Sequence, residues 1–561
     1  MIYRLVMLVW LLATATAAAD VRLTRLFSDN MILQQETNNA IWGFADPGES
    51  VKITSSWGTE AAAVADAEGY WKTMLKTPEH GTGHSISIVG KNSIQIENVA
   101  IGEVWLCAGQ SNMGWALGNT FGGAEEAESA DLPNFRIFKS NREHWHEPLR
   151  EPRDQLARWS PCGPVSSAAT SAVSYYFGKK LHNELDVPVG IIVQAYAGTP
   201  IEGWMPESIQ EDDPRTKQLV EDIEKRSRRF SRDEALAAFE GELKTYNAQI
   251  AAGDTMLNGS RERKPPMITK PANLGHQCPA HIFNAMINPI RPYGIRGAIW
   301  YQGERNAKTV PQALHYRSQL AKLIRYYRDS WHDLSDGNVA EDFPFFFTQL
   351  PSWNPPQQEP VEGVSAPWVV SREMMRQVAA EVPNTGIAVS IDTGDPVALH
   401  PRNKRPIGIR HAYLALAHVY KKPIVGDGPQ YQKQTIAGNR ITLQFESIGS
   451  GLMAAKPGKL DAFAVAGEDR KWHWADAVIE RNTIVVSSPE VENPVAVRYA
   501  WGMNPSQRNL LYNRQGLPAS PFRTDDWPLF RPGEDEEVEV TKPEKSPGYE
   551  SKDWQRPVMK Q

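Results

Sequence analysis

Four polar stretches in this 561-residue chain carry the residue types that acyl transfer uses. They are Ala108-Gly109-Gln110-Ser111-Asn112-Met113, Tyr196-Ala197-Gly198-Thr199-Pro200, Trp300-Tyr301-Gln302-Gly303-Glu304-Arg305-Asn306, and the run from Asp392 to Lys404 around His400. A Ser just beyond a buried apolar run, preceded by Gly, is where a nucleophile sits, and its own N–H can face a tetrahedral intermediate. A Ser in that place is also an ordinary helix N-cap. The stretch is not a G-x-S-x-G elbow, because Met113 holds the last position. Gly198 can bring a backbone N–H close to a substrate oxygen, or simply make a turn. Gln302 is a side-chain donor for an oxyanion, and Glu304 an acid, an orienter or half of an ion pair. His400 precedes Pro401, which biases it to an extended loop backbone where it suits a general base. Each feature is weak alone. Together they run in chain order from nucleophile to base.

The elements that must position them are legible as short apolar runs. Val104–Cys107, Val189–Val193, Ala298–Tyr301, Phe343–Phe347 and Ile387–Ile391 read as strands. Between them Val173, Phe177, Leu181 and Leu185 fall four apart, and Tyr316, Leu320, Leu323, Tyr327 and Trp331 follow a three-to-four spacing. Strands buried on both faces and separated by helices predict an α/β unit with a parallel sheet, whose ligands bind beyond the strands' carboxyl ends. Four of the five strand ends carry the polar stretches above. Residues 206–262 interrupt the pattern as a charged helical insertion, a rim or lid, or an excursion without a role.

Period-two alternation marks β units on either side. In residues 20–100 it appears at Val51 and Ile53, Ile86 and Ile88, and Ile94 and Ile96. In 431–530 it appears at Ile441, Leu443 and Phe445, at Ile484 and Val486, and at Val495, Val497 and Tyr499. Residues 531–561 have little to bury and are expected to be disordered. Residues 1–19 read as a secretory signal: Arg4, the apolar run Leu5–Leu12, and Ala17-Ala18-Ala19 before Asp20. That places the mature chain outside the cytoplasm, secreted or periplasmic, with no later run long enough for a membrane span.

Composition narrows the function class. With 60 Lys+Arg against 66 Asp+Glu, the net charge of −6 argues against a nucleic-acid partner. Three separated cysteines, Cys107, Cys162 and Cys278, make no disulfide scaffold and no zinc spacing, although a Cys162–Cys278 pair stays open. Composition leaves the oligomeric state undetermined.

The motifs resemble the sialate O-acetylesterase-like (SASA) branch of the SGNH hydrolases over most of the mature chain. The resemblance rests on Phe27–Gln34, Gly109–Met113, Pro188–Ile192, Gly198–Trp204, Trp300–Glu304, Pro383–Asp395, His400–Lys404 and Gly516–Thr524. It implies a flavodoxin-like SGNH hydrolase core over 101–430, flanked by accessory β-sandwich-like domains. It also implies hydrolysis of O-acetyl esters on sugars, with no metal or cofactor. Ser111 becomes the nucleophile, His400 its base, and the N–H groups of Ser111 and Gly198 with the Gln302 side chain the oxyanion hole. Glu304, Asp392 and Asn112 are supporting residues. Relatives often place Asp or Asn two residues before the His, where this chain has Ala398. Asp395, Asp392, a backbone carbonyl or Glu304 are the alternatives for the third triad member, with Asp395 preferred. Ala197 and Arg305 also depart from the common Gly and Ser. The acetylated sugar stays open between sialic acid and xylan or another polysaccharide, and a weakened carbohydrate-binding protein on the same fold is the rival reading.

Overall fold

The computed structural model describes residues 20–257, 261–263 and 265–543, so the signal-like segment 1–19 lies outside the described residues. Seven strands form the spine of the molecule: β1 (Ser93–Gly109), β2 (Leu132–Lys139), β3 (Arg158–Cys162), β4 (Val189–Ala195), β5 (Gly297–Tyr301), β6 (Phe345–Thr348) and β7 (Thr385–Ala388). They lie in the order β3-β2-β4-β1-β5-β6-β7. All neighbours are parallel except the edge strand β3, which pairs antiparallel with β2. The five predicted runs thus overlap β1, β4, β5, β6 and β7; the edge pair β2–β3 was not anticipated. Placement of β4 between β2 and β1 departs from the flavodoxin order, in which the second strand lies beside the first.

Six helices matter here: α1 (Ala172–Leu185), α2 (Pro214–Arg228), α3 (Arg232–Ala251), α4 (Val310–Leu334), α5 (Pro367–Glu381) and α6 (Arg405–His418). The Ser171 hydroxyl accepts from Ser174 N (3.1 Å) and starts α1, which buries Val173, Phe177 and Leu181. Helix α4 buries Tyr316, Leu320, Leu323, Tyr327 and Trp331, the stripe the spacing predicts. Helices α2 and α3 form the charged insertion and bury little beyond Thr216, Ile223 and Ala235. Asp213 caps α2 and pairs with His315 of α4 at 2.7 Å, anchoring the insertion to the core. Among the described residues no helix is long and apolar enough to cross a membrane.

The N-terminal β unit is continuous with the parallel sheet. The first part of β1 pairs with Gly81–Val89, bringing Ile88 opposite Ile94 and Ile86 opposite Ile96. Its last part carries on into the parallel ladder. The expected boundary at 100/101 therefore falls inside one strand. Phe27 packs 5.7 Å from Tyr293, and one apolar cluster spans both units. Beyond α6, two four-stranded antiparallel sheets close on Ile441, Leu443, Val465, Ile484 and Val497. Of the tail 531–561, expected to be disordered, 544–561 lie outside the described residues, and 531–543 make specific contacts: Val540 N donates to Lys308 O (2.8 Å) and the Thr309 hydroxyl to Glu537 Oε1 (2.7 Å).

All three cysteines are buried and free, which removes the Cys162–Cys278 pair. Cys162 Sγ lies 3.2 Å from Ser167 Oγ, and Cys278 Sγ donates to Ala272 O (3.3 Å).

Candidate active site

Strand β1 is central, with chain crossing from it to one side at β4 and to the other at β5. That reversal is the switch point at which open α/β sheets bind ligands. The chain leaves β1 through Gly109 at φ +146°, where a Cβ would lie 2.2 Å from Tyr301 O; only Gly lets β1 and β5 stay paired here. Gln110 N then donates to Tyr301 O (2.9 Å) and Gly114 N to Gln110 O (2.9 Å), which turns the backbone and presents Ser111 half-buried at the sheet's end.

His400 arrives from the loop between β7 and α6, 289 residues away in sequence, and its Nε2 lies 2.8 Å from Ser111 Oγ. The indole of Trp115 stacks on the imidazole, with ring centroids 5.0 Å apart and planes 19° apart. This arrangement lets a hydroxyl pass its proton to an imidazole whose plane is fixed by an aromatic face.

Asp395 holds the His400 loop. Its Oδ1 accepts from Val397 N (2.9 Å) and Ala398 N (2.8 Å), and its own N donates to Ser352 O (3.1 Å). The Cβ-free Gly394 beside it lies where a Cβ would meet Ser352 O at 2.1 Å. Asp392 does not join the pair. Both its oxygens bind Arg410, at 2.7 and 2.6 Å, and Tyr512 OH donates to Oδ2 (3.1 Å), so it is spent on a buried ion pair. Its candidacy as the acid is corrected on that ground.

Beneath Ser111 runs a buried polar chain. Asn112 Nδ2 donates to Glu304 Oε1 and to Leu399 O, the residue before His400. Lys404 Nζ donates to Asn112 Oδ1 (2.5 Å). Burial pushes the Glu304 carboxyl up, against the pull of Asn112 and the Lys404 charge. Burial likewise drives the Lys404 ammonium down to about 7, with Glu304 only partly restoring it. Asn112 and Glu304 thus support the loops rather than touch Ser111 Oγ. The sequence assigns Lys404 no role of its own, and its complete burial is visible only in the fold.

Gln302 is buried, and both of its amide hydrogens are taken, by Thr199 O (3.2 Å) and Asn306 Oδ1 (2.8 Å); Tyr316 OH donates to its Oε1 (2.8 Å). It has no N–H left for an oxyanion, which corrects that expectation. Its function here is to tie the loop after β5 to the loop after β4. Asn306, not anticipated, completes the knot: Oδ1 accepts from Ile201 N (2.8 Å) and Nδ2 donates to Glu202 (2.8 Å). Gly198 sits at φ +73° in that second loop. Among the described residues, the backbone N–H groups of Ser111 and Gly198 donate to no protein acceptor. Among the described residues, no group of three His, Cys, Asp or Glu side chains is placed to hold a metal ion.

Comparison with known proteins places the chain in a family. Residues 101–253 match the family model described as carbohydrate esterase, sialic acid-specific acetylesterase. Sialate O-acetylesterase of Mus musculus is 25% identical over 550 residues, covering 93% of this chain and 97% of that protein. The Homo sapiens protein of that name is 24% identical over 545 residues, covering 91% and 94%. A crystal structure of a carbohydrate acetylesterase from Xanthomonas citri superposes with a TM-score of 0.73 at 30% identity, covering 90% of this chain and all of that one. A chain that shares this fold from end to end, at that identity, belongs to the sialic acid-specific acetylesterase family of carbohydrate esterases.

Proposed function

We propose that this carbohydrate esterase is a secreted O-acetylesterase that removes acetyl groups from sugars through Ser111 and His400. The observation that carries the reading is the 2.8 Å contact between His400 Nε2 and Ser111 Oγ at the carboxyl end of β1. Ser111 Oγ attacks the acetyl carbonyl carbon while His400 Nε2 takes the hydroxyl proton. The developing oxyanion accepts from the N–H groups of Ser111 and Gly198, each worth roughly 3 kcal/mol in acyl-transfer sites. Collapse breaks the bond to the sugar oxygen, which leaves with the proton from His400. Water then attacks the acetyl-Ser111 ester with His400 as base, releasing acetate and restoring the hydroxyl.

Asp395 stands in for the missing residue at Ala398 by holding the loop, so that the imidazole meets Ser111 in register. The parallel-sheet unit acts as an SGNH-type catalytic core, with the two β units as accessory domains. The segment 1–19 directs export, and the exported chain should begin at Asp20 by N-terminal sequencing. The sugar is sialic acid or a polysaccharide such as acetylated xylan.

Acetate release from acetylated glycans by the purified chain, with Ser111→Ala as the blank, tests the reading. The variant should lose activity by about 10⁴-fold or more and fail to label with a fluorophosphonate. Full acetate release by Ser111→Ala would end the proposal.

A further inference from the structure

The charged insertion supplies none of the residues described at Ser111 and His400, yet one face of it walls a cavity of roughly 480 Å³ against the loop after β5 and the start of α4. Six cationic side chains line it: Arg215, Lys225, Arg226 and Arg229 from the insertion, and Arg305 and Lys308 from the core. Of the lining carboxylates, Glu202 is buried and already accepts from Gln319 Nε2 and Asn306 Nδ2 (2.8 Å each). Those hydrogen bonds do not neutralise Glu202, so it stands with Asp222 and Glu539 as three carboxylates against six cations. Among the described residues, Lys308 alone of the six is within 4.0 Å of a carboxylate oxygen. Burial, and then repulsion from Arg226, hold the Arg305 guanidinium below its usual range. So concentrated a positive field in a concave wall attracts an anion.

Two further observations say what kind and where. Arg305 Nη2 donates to Gln277 Oε1 (3.1 Å) and Gln277 Nε2 to Gly198 O (3.4 Å), so the inner wall of the cavity is fastened to the Gly198 loop of the active site. The chain also places a carboxylate of its own there: Glu539 pairs with Lys308, on an acidic segment pinned by Glu537 to Thr309.

We propose that this cavity is an anion subsite of the esterase, which takes the carboxylate of an acidic sugar in the acetylated glycan and for which Glu539 competes. The proposal rests on the esterase reading above. The carboxylate belongs either to the acetylated sugar itself or to a neighbouring uronic acid, and the test separates the two.

Acetate release by the full chain is measured on O-acetyl sialic acid, on acetylated xylo-oligosaccharide bearing glucuronic acid, and on the neutral acetylated xylo-oligosaccharide. The double variant Arg226→Ala/Arg229→Ala should raise KM about tenfold on an acidic substrate with kcat held, and far less on the neutral one. The acidic probe that responds identifies the carboxylate. About 0.3 M sodium chloride should erase the difference, and Glu539→Gln should lower KM on that same probe. Lys433→Ala, on an exposed strand of the C-terminal sheet, should change none of these. Binding of a glucuronic-acid xylo-oligosaccharide and of sialic acid to the Ser111→Ala protein, by calorimetry, reads the cavity without turnover. Equal KM changes on acidic and neutral substrates, or calorimetric binding unaffected by the double variant, overturns the subsite. Those results leave the esterase reading standing, whereas acetate release that survives Ser111→Ala overturns that reading instead.

Discussion

Replacing Lys404 with Met keeps an unbranched stem and removes a titrating group from the middle of the fold. Lys404 has no exposed surface, and its ammonium titrates near 7 when folded. In the unfolded chain a lysine titrates at about 10.4. Between those values the unfolded state binds the extra proton, so stability rises with pH at up to about 1.4 kcal/mol per pH unit. Integrating the folded-state titration from about pH 7 to about pH 9 gives about 2 kcal/mol. Below the folded value both states are protonated and the contribution is flat. The lost hydrogen bond to Asn112 adds a deficit of about 1–3 kcal/mol that does not depend on pH. Urea unfolding of wild type and Lys404→Met across that range should therefore give two curves that converge or diverge steadily, wild type gaining about 2 kcal/mol relative to the variant by the alkaline end. Parallel curves would refute the reasoning, because they would mean that Lys404 stays charged in the folded protein up to about pH 9.

Substitutions at three other positions probe the loops around the site. Asp395→Ala strands the N–H groups of Val397 and Ala398 and should cost about 100-fold in kcat/KM, while Asp395→Asn, which keeps an acceptor oxygen, should stay close to wild type; an Asn variant as poor as Ala would show that the carboxylate charge is needed. Asp392→Asn leaves Arg410 buried beside a neutral group and should cost about 3–5 kcal/mol in unfolding free energy. A change below about 1 kcal/mol would mean the pair is solvated. Gly109→Ala pushes a Cβ to 2.2 Å from Tyr301 O and should abolish soluble expression or activity, which soluble yield and circular dichroism would report.

Much of the scaffold was legible because burial on both faces leaves a local imprint. Val189–Val193 and Ala298–Tyr301 have no polar face to alternate, and they are interior strands of the sheet. The stripe from Tyr316 to Trp331 repeats with the helix because only one side of α4 meets the sheet. Strands β2 and β3 are less legible because polar residues and prolines break their apolar runs: Leu132–Lys139 buries Arg136 between Phe135 and Ile137, and Arg158–Cys162 contains Ser160 and Pro161. The contacts of residues 531–543 are hidden from the sequence for another reason. The acidic residues of that segment have nothing to bury, but they find the Lys308 ammonium and the Thr309 hydroxyl just before α4, and composition does not record those partners.

Sequence by itself determined that Ser111 follows a buried strand, that Gly109 precedes it, and that His400 stands on a loop fixed by Pro401. Each of those statements concerns a few neighbouring residues, whose φ preference and apolar spacing are written locally. Only the tertiary structure decided which polar groups meet. It brought His400 to Ser111 across 289 residues, committed Asp392 to Arg410, turned the Gln302 amide to Thr199 and Asn306, and joined Asn112, Glu304 and Lys404. The physical reason is that a buried hydrogen-bonding group must be satisfied by whatever lies beside it in space, and chain order carries no record of that neighbour.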